Sequence, residues 1–183
     1  MKELSLNVLD ITHNSITAGA KQIDLTLELT ADRIVIRIRD NGCGMDEKML
    51  ASVTDPFTTT RTTRRVGMGI PLFKLAAEQS DGFLDIKSRK NEGTEVTAVF
   101  NKNHIDCPPL GDMAATVAML MAAVPEDSDL NYRFETEKGG FSLGTAELRE
   151  ALGGDISLGE PEVQQWIAEH IREQEQSYTC EKE

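Results

Sequence analysis

Arg33-Ile34-Val35-Ile36-Arg37-Ile38-Arg39-Asp40-Asn41-Gly42-Cys43-Gly44-Met45 is the stretch on which the reading of this chain turns. Its first seven residues put isoleucine on one side and mostly arginine on the other, the period-two pattern of a half-buried strand. The strand ends in an acid followed by two spaced glycines. That order fixes one carboxylate at the end of a sheet and then lets the backbone turn sharply and approach a ligand closely. An Asx-type turn after a strand is the plainer reading of the same residues.

Just upstream, residues 23–29 alternate as well, with Ile23, Leu25, Leu27 and Leu29 against Asp24, Thr26 and Glu28. Two neighbouring strands, each with one polar face, predict a sheet covered on one side only. The fold expected is therefore α+β, a two-layer α/β sandwich, and not a doubly wound sheet. Residues 3–19 read as a helix with Leu6, Leu9, His13, Ile16 and Ala20 on one face. Asp46 suits the N-cap of a short helix to about Val53. Residues 54–68 are rich in Thr and Arg without periodicity and read as a loop. Pro71 fits the first turn of a helix to about Gln79. Residues 83–88 and 94–100 form a predicted hairpin turning at Asn91-Glu92-Gly93.

Pro108-Pro109 marks an expected boundary between residues 1–103 and an acidic module at 104–183, a small C-terminal α+β extension. There the pattern predicts an apolar helix at 112–124 and a hairpin of 130–135 with 141–143 turning at Gly139-Gly140. Two more helices follow, near 145–152 and 161–173, and the polar end is expected to fray. The helix at 112–124 is apolar nearly all round. It is expected to pack into the core, with a homodimer face as the alternative.

The formal net charge is −12. Residues 1–103 hold 14 basic and 14 acidic side chains, and residues 104–183 hold 5 and 17, so the whole excess lies in the second part. This disfavours nucleic-acid binding there, since phosphates are repelled. It gives either a solvated acidic surface or a face for a basic partner. The three cysteines and three histidines lack metal-ligand spacing. The longest apolar run, 113–124, is too short to span a bilayer. The first residues lack the apolar stretch of a signal peptide, so a cytoplasmic location is expected.

Asp10, Asn14 and Thr17 share one arc of the first helix. An amide oxygen on Asn14 suits Mg²⁺, and a carboxylate one turn away can orient or deprotonate a water. Gly67-Met68-Gly69-Ile70-Pro71 opens a helix whose free N–H groups suit phosphate. No GxGxxG or P-loop pattern occurs. The arginines at 61, 64 and 65 stand in the loop between the two glycine segments, a candidate lid over nucleotide.

Together these residues resemble the GHKL superfamily. It comprises gyrase-type topoisomerases, heat-shock chaperones, sensor histidine kinases and MutL-type ATPases, which share the Bergerat ATP-binding fold. Asp10-Ile11-Thr12-His13-Asn14-Ser15-Ile16-Thr17-Ala18-Gly19-Ala20 looks like the N box, and Asp40-Asn41-Gly42-Cys43-Gly44-Met45 like the first glycine box. Asp55-Pro56-Phe57-Thr58-Thr59-Thr60 is similar to the phenylalanine box of histidine kinases. Gly67-Met68-Gly69-Ile70 looks like the second glycine box, and Gly93-Thr94 like the Gly-Thr element. The resemblance covers roughly residues 3–101.

It implies ATP and Mg²⁺ as cofactors, with Asn14 helping to hold the metal and Asp40 contacting the adenine amine. Gly42, Gly44, Met45, Ala18 and Thr94 would line the base pocket. Arg61, Arg64, Gly67 and Gly69 would face the phosphates. Asp10 stands where hydrolytic members carry a Glu base and is one methylene shorter. No phosphoacceptor motif surrounds His13, His104 or His170, so the chain looks like an isolated catalytic domain. The function implied is Mg-ATP hydrolysis or phosphoryl transfer to a partner protein in regulation. The alternative is a nucleotide-gated interaction protein without turnover.

Overall fold

A computed structural model describes residues 3–53, 69–153 and 156–179. The elements run α1 (Leu4–Thr17), β1 (Gln22–Leu29), β2 (Arg33–Asp40), α2 (Glu47–Ser52), α3 (Gly69–Gln79), β3 (Phe83–Arg89), β4 (Gly93–Asn101), α4 (Met113–Ala123), β5 (Asp129–Thr136), β6 (Gly139–Gly144), α5 (Thr145–Ala151) and α6 (Pro161–Thr179). The expected loop at 54–68 lies outside the described residues.

The strands form one sheet in the order β3-β4-β2-β1-β5-β6, with β1 and β5 parallel and every other neighbour pair antiparallel. Alternation sorts its two faces. Ile23, Leu25 and Leu27, Ile34, Ile36 and Ile38, and Val96, Ala98 and Phe100 are all buried on one side. Leu130, Tyr132 and Phe134 continue that side. They share one apolar cluster with residues of α1, α3, α4 and α6. The other side carries exposed Arg37, Arg39 and Arg133. The architecture is thus α+β, a layer of helices on a mixed sheet, as the one-sided alternation requires.

The chain after Pro109 adds to this same sheet. β5 lies along β1 in register from Gln22–Asp129 to Leu29–Thr136, and β6 folds back on β5. The helix α4 buries Met113, Val117, Leu120 and Met121, and leaves Met119 52% exposed. Its hydrophobic surface on nearly every side is explained by this double contact, with α1 on one flank and α6 on the other. Asp112 caps it by accepting from Ala115 N at 3.0 Å, and Asp46 caps α2 through Met49 N at 2.8 Å.

Three expectations need correction. On α1 the buried residues are Leu4, Val8 and Ile11 together with Ser5, Asn7, Thr12 and Ser15, while Leu6 and His13 are exposed. The helix touches the sheet, α3 and α4, so it buries a wide arc that admits small polar side chains. The β5–β6 turn is made by Glu137 and Lys138, and both glycines already belong to β6. The last helix runs to Thr179 instead of fraying after 173. Its polar end finds partners, since the Tyr178 ring stacks on Phe141 at 6.5 Å and Glu175 accepts from the Tyr132 hydroxyl at 2.7 Å.

Burial pushes the Glu175 carboxyl above its ordinary value, against the lowering effect of the Tyr132 hydrogen bond. An unfolded glutamate ionises at about 4.3, and the folded one only at higher pH. Glu175 therefore subtracts stability progressively as pH rises from the unfolded value through the folded one. Glu175→Gln keeps an oxygen for Tyr132 and removes the charge. Its unfolding free energy is expected to gain on the native chain between pH 4 and pH 7, read as the difference between two urea series. A difference that shrinks with rising pH would contradict this.

Candidate nucleotide site

The site arises where the covered face of the sheet changes from apolar to polar at one end. Leu25, Ile38, Val96 and Ile86 lie in register across β1, β2, β4 and β3. One step further the row reads Ile23, Asp40, Thr94 and Ser88. Side chains directly opposite in antiparallel strands are close neighbours, so a carboxylate and two hydroxyls meet beside the core.

Asp40 is held from two sides. Ser15, on the buried face of α1, donates to Oδ2 at 2.6 Å, and Gly42 N donates to Oδ1 at 2.9 Å. Asn41 fastens the segment to β1, its Oδ1 accepting from Lys21 N at 2.8 Å and Gln22 N at 2.9 Å. Cys43 N donates to Ala18 O at 3.1 Å, and Asn91 N donates to Cys43 O at 2.7 Å. Met45 is buried, and its N–H donates to Ser88 Oγ at 2.8 Å. Ser88 Oγ also lies 2.8 Å from Thr94 Oγ1. The glycine segment is therefore threaded between the end of α1 and the β3–β4 turn.

That threading requires glycine at 44 and leaves little room at 42. A Cβ on Gly42 would stand 3.0 Å from Ala18 Cβ and 3.1 Å from Asp40 Oδ1. Gly44 has φ +61°, and a Cβ there would reach 1.9 Å from Arg89 O.

The side chains of Asp10 and Asn14 are exposed on α1, one turn apart, and make no hydrogen bond or ion pair among the described residues. A Cβ on Gly69, the first residue of α3, would lie 3.3 Å from Asp10 Cβ. The start of α3 thus abuts α1 at Asp10, on the helix that carries Ser15 and Ala18 further along. From Asp10 to Ala18 the helix rises about 12 Å. Arg61, Arg64 and Gly67 lie outside the described residues. Among the described residues no three His, Cys, Asp or Glu side chains converge on a metal position. No helix among them is long and apolar enough to cross a membrane.

Sequence reasoning missed Ser15, Asn41 and Ser88 as parts of the site. Ser88 had a signal, because it breaks the inward apolar series Leu84, Ile86 just where Asp40 breaks the series Ile34, Ile36, Ile38.

Residues 1–104 match the family described as histidine kinase-, DNA gyrase B-, and HSP90-like ATPase. The chain is 32% identical over 80 residues to the "Probable C4-dicarboxylate sensor kinase" of Bacillus subtilis, covering 44% of this chain and 15% of that protein. It is 31% identical over 85 residues to the sensor histidine kinase YvrG of the same organism, with 44% and 15% covered. It is 28% identical over 94 residues to the sensor histidine kinase CitA of Klebsiella pneumoniae, with 50% and 17% covered. The matched part is thus a small share of each of these relatives. A crystal structure of the N-terminal domain of a DNA repair protein superposes with a TM-score of 0.54, covering 78% of this chain and 51% of that one. At 15% identity that likeness is one of fold alone. With a histidine-kinase-like ATP-binding domain across residues 1–104, the chain belongs to the histidine kinase-, DNA gyrase B- and HSP90-like ATPase family.

Proposed function

We propose that this chain binds Mg²⁺–ATP along α1 and turns it over, by hydrolysis or by phosphoryl transfer to a partner protein in regulation. The observation that carries the reading is the placement of Asp40 and Asp10 near the same helix, Asp40 tied to Ser15 and Asp10 beside the start of α3. A carboxylate offers about four acceptor positions. Ser15 and Gly42 occupy two at Asp40, which leaves capacity for the exocyclic amine of adenine. Ala18, Gly42, Gly44, Met45 and Thr94 surround that end.

At the other end, the free N–H groups opening α3 at Gly69 suit phosphate oxygens. The sequence motifs assign Arg61, Arg64 and Gly67 to phosphate binding as well. The Asn14 amide oxygen is a hard donor of the kind that magnesium accepts, with phosphates and waters filling its other positions. When bound, the metal neutralises phosphate charge. Asp10 then holds the attacking group, a water or a partner's side chain, and takes its proton.

The test is ADP formation by the purified chain, alone and with candidate partners. Asp10→Asn is expected to lower turnover by about 10²- to 10⁴-fold, the range for a general base, with ATP affinity by calorimetry nearly unchanged. ATP binding without any turnover would favour the second reading, a nucleotide-gated interaction protein. The short reach of Asp10 is what keeps that reading open. A chain that bound no ATP at all would sink both.

A further inference from the structure

We propose that the outer side of α4 and α6 is a docking groove for a basic amphipathic helix of a partner protein. Both helices lie beyond residue 104, outside the family match. α4 holds no charged side chain, and its contacts with α1 and α6 account for two of its flanks. A further stripe, Ala115, Met119 and Ala122 at i, i+4 and i+7, points outward. On α6 the outward stripe is Glu162, Trp166, Glu169 and Glu173, all exposed. Met119 is 52% and Trp166 53% exposed, so each helix offers one large apolar side chain on this side.

The direction of the helices brings the two stripes side by side. α4 leads at its end into the start of β5. α6 ends where β5 ends, with Thr136 Oγ1 donating to Tyr178 O at 3.4 Å. The two helices are therefore antiparallel, and Arg172 donates to Asp112 Oδ2 at 2.7 Å across them. Met119, seven residues after Asp112, then stands level with Gln165, seven before Arg172. Gln165 and Glu169 share the flank of Arg172 that faces α4, so Glu169 lies toward α4 between the two exposed apolar side chains. Packed helix axes lie about 8–10 Å apart, and the groove between them seats a third helix.

Charge selects the occupant. Glu162, Glu169 and Glu173 make no ion pair among the described residues. Glu169 accepts only from Gln165 Nε2, at 2.9 Å. Residues 104–183 carry the whole net charge of −12. A second copy of this face and an anionic lipid surface are both repelled by it. A helix with lysines or arginines flanking an apolar stripe satisfies both halves of the surface. Its apolar residues meet Met119, which adapts its shape to a partner, and Trp166, of a residue type that often anchors interfaces. The Trp166 ring is stacked on His170, centroids 5.3 Å apart and planes at 10°. It is thus already held in place, and covering it costs little side-chain freedom.

Trp166 is the only tryptophan of the chain, so its emission reports on this face. The probe is a synthetic Leu/Lys peptide about four turns long with leucine at i, i+3, i+4 and i+7, added to the full chain without nucleotide, which keeps the outcome separate from that of the ATP reading. A saturating blue shift is expected. Affinity by calorimetry is expected to fall about tenfold or more in Met119→Lys and in Trp166→Ala, with the urea midpoint little changed. A peptide of the same composition without the leucine stripe is expected to bind at least about tenfold more weakly. No shift with the striped peptide overturns the proposal, and so does equal binding of the scrambled one, since charge alone would then explain it. An equal shift with phosphatidylglycerol vesicles assigns the face to a membrane and overturns it. A spectrum that changes with protein concentration alone assigns the face to a second copy and overturns it as well.

Discussion

Asp40→Asn is expected to weaken ATP binding by roughly 10- to 150-fold, corresponding to the 1.5–3 kcal/mol of a hydrogen bond to a charged group. Without nucleotide, the unfolding midpoint is expected to move little. The two effects separate because of how Asp40 is held. Asn keeps one oxygen for the Gly42 N–H, and its amide can donate to Ser15 Oγ, so both internal bonds have a counterpart. What disappears is the charge and half the acceptor capacity that would meet the adenine amine. Calorimetry with ATP and Mg²⁺ reads the affinity, and thermal unfolding with and without ATP reads the linked stabilisation. An affinity equal to the native chain's would show that the base does not sit at Asp40. Affinity lost together with the fold would show that Asp40 serves mainly to tie β2 to α1.

The sequence made the frame legible because alternation is a local signal. Ile34, Ile36 and Ile38 against Arg33, Arg37 and Arg39 forecast a one-sided sheet, and every predicted strand lies within a few residues of its observed bounds. What it could not supply was the pairing of distant elements. Nothing local in residues 129–136 says that β5 lies parallel beside β1, since that pairing depends on where α4 packs. The same limit applied at the site. Asp40 and the glycines stand out as a motif, but Ser15 and Ser88 are ordinary serines until α1 and β3 are brought against them. On α1, counting only apolar residues gave a face that included Leu6. The true buried arc contains four small polar side chains, tolerated because α3, α4 and the sheet enclose the helix on several sides. Ser15 lies in that arc.

Gly93→Ala is the substitution expected to damage both fold and site. Gly93 has φ +105°, outside the usual range of L side chains, and a Cβ there would lie 1.9 Å from Asp40 O and 2.8 Å from Asn41 Cα. Both are backbone atoms of the end of β2, so no flexible side chain can move aside. Relief requires β4 to separate from β2 at the Asp40–Thr94 pair. It also disturbs Ser88, whose hydroxyl donates to Gly93 O at 3.0 Å and accepts from Met45 N. Backbone strain of about 1–3 kcal/mol and overpacking of similar size together predict a loss of about 2–6 kcal/mol. Against a usual total of 5–15 kcal/mol, that is a large lowering of the urea midpoint in the absence of nucleotide. Gly19→Ala isolates the strain, since Gly19 has φ +73° and nothing within 4 Å of the added carbon. It is expected to cost about 1 kcal/mol, the low end of the strain range. If Gly93→Ala cost no more than Gly19→Ala, β2 and β4 would not meet as closely as described, and the position of Asp40 would need another support.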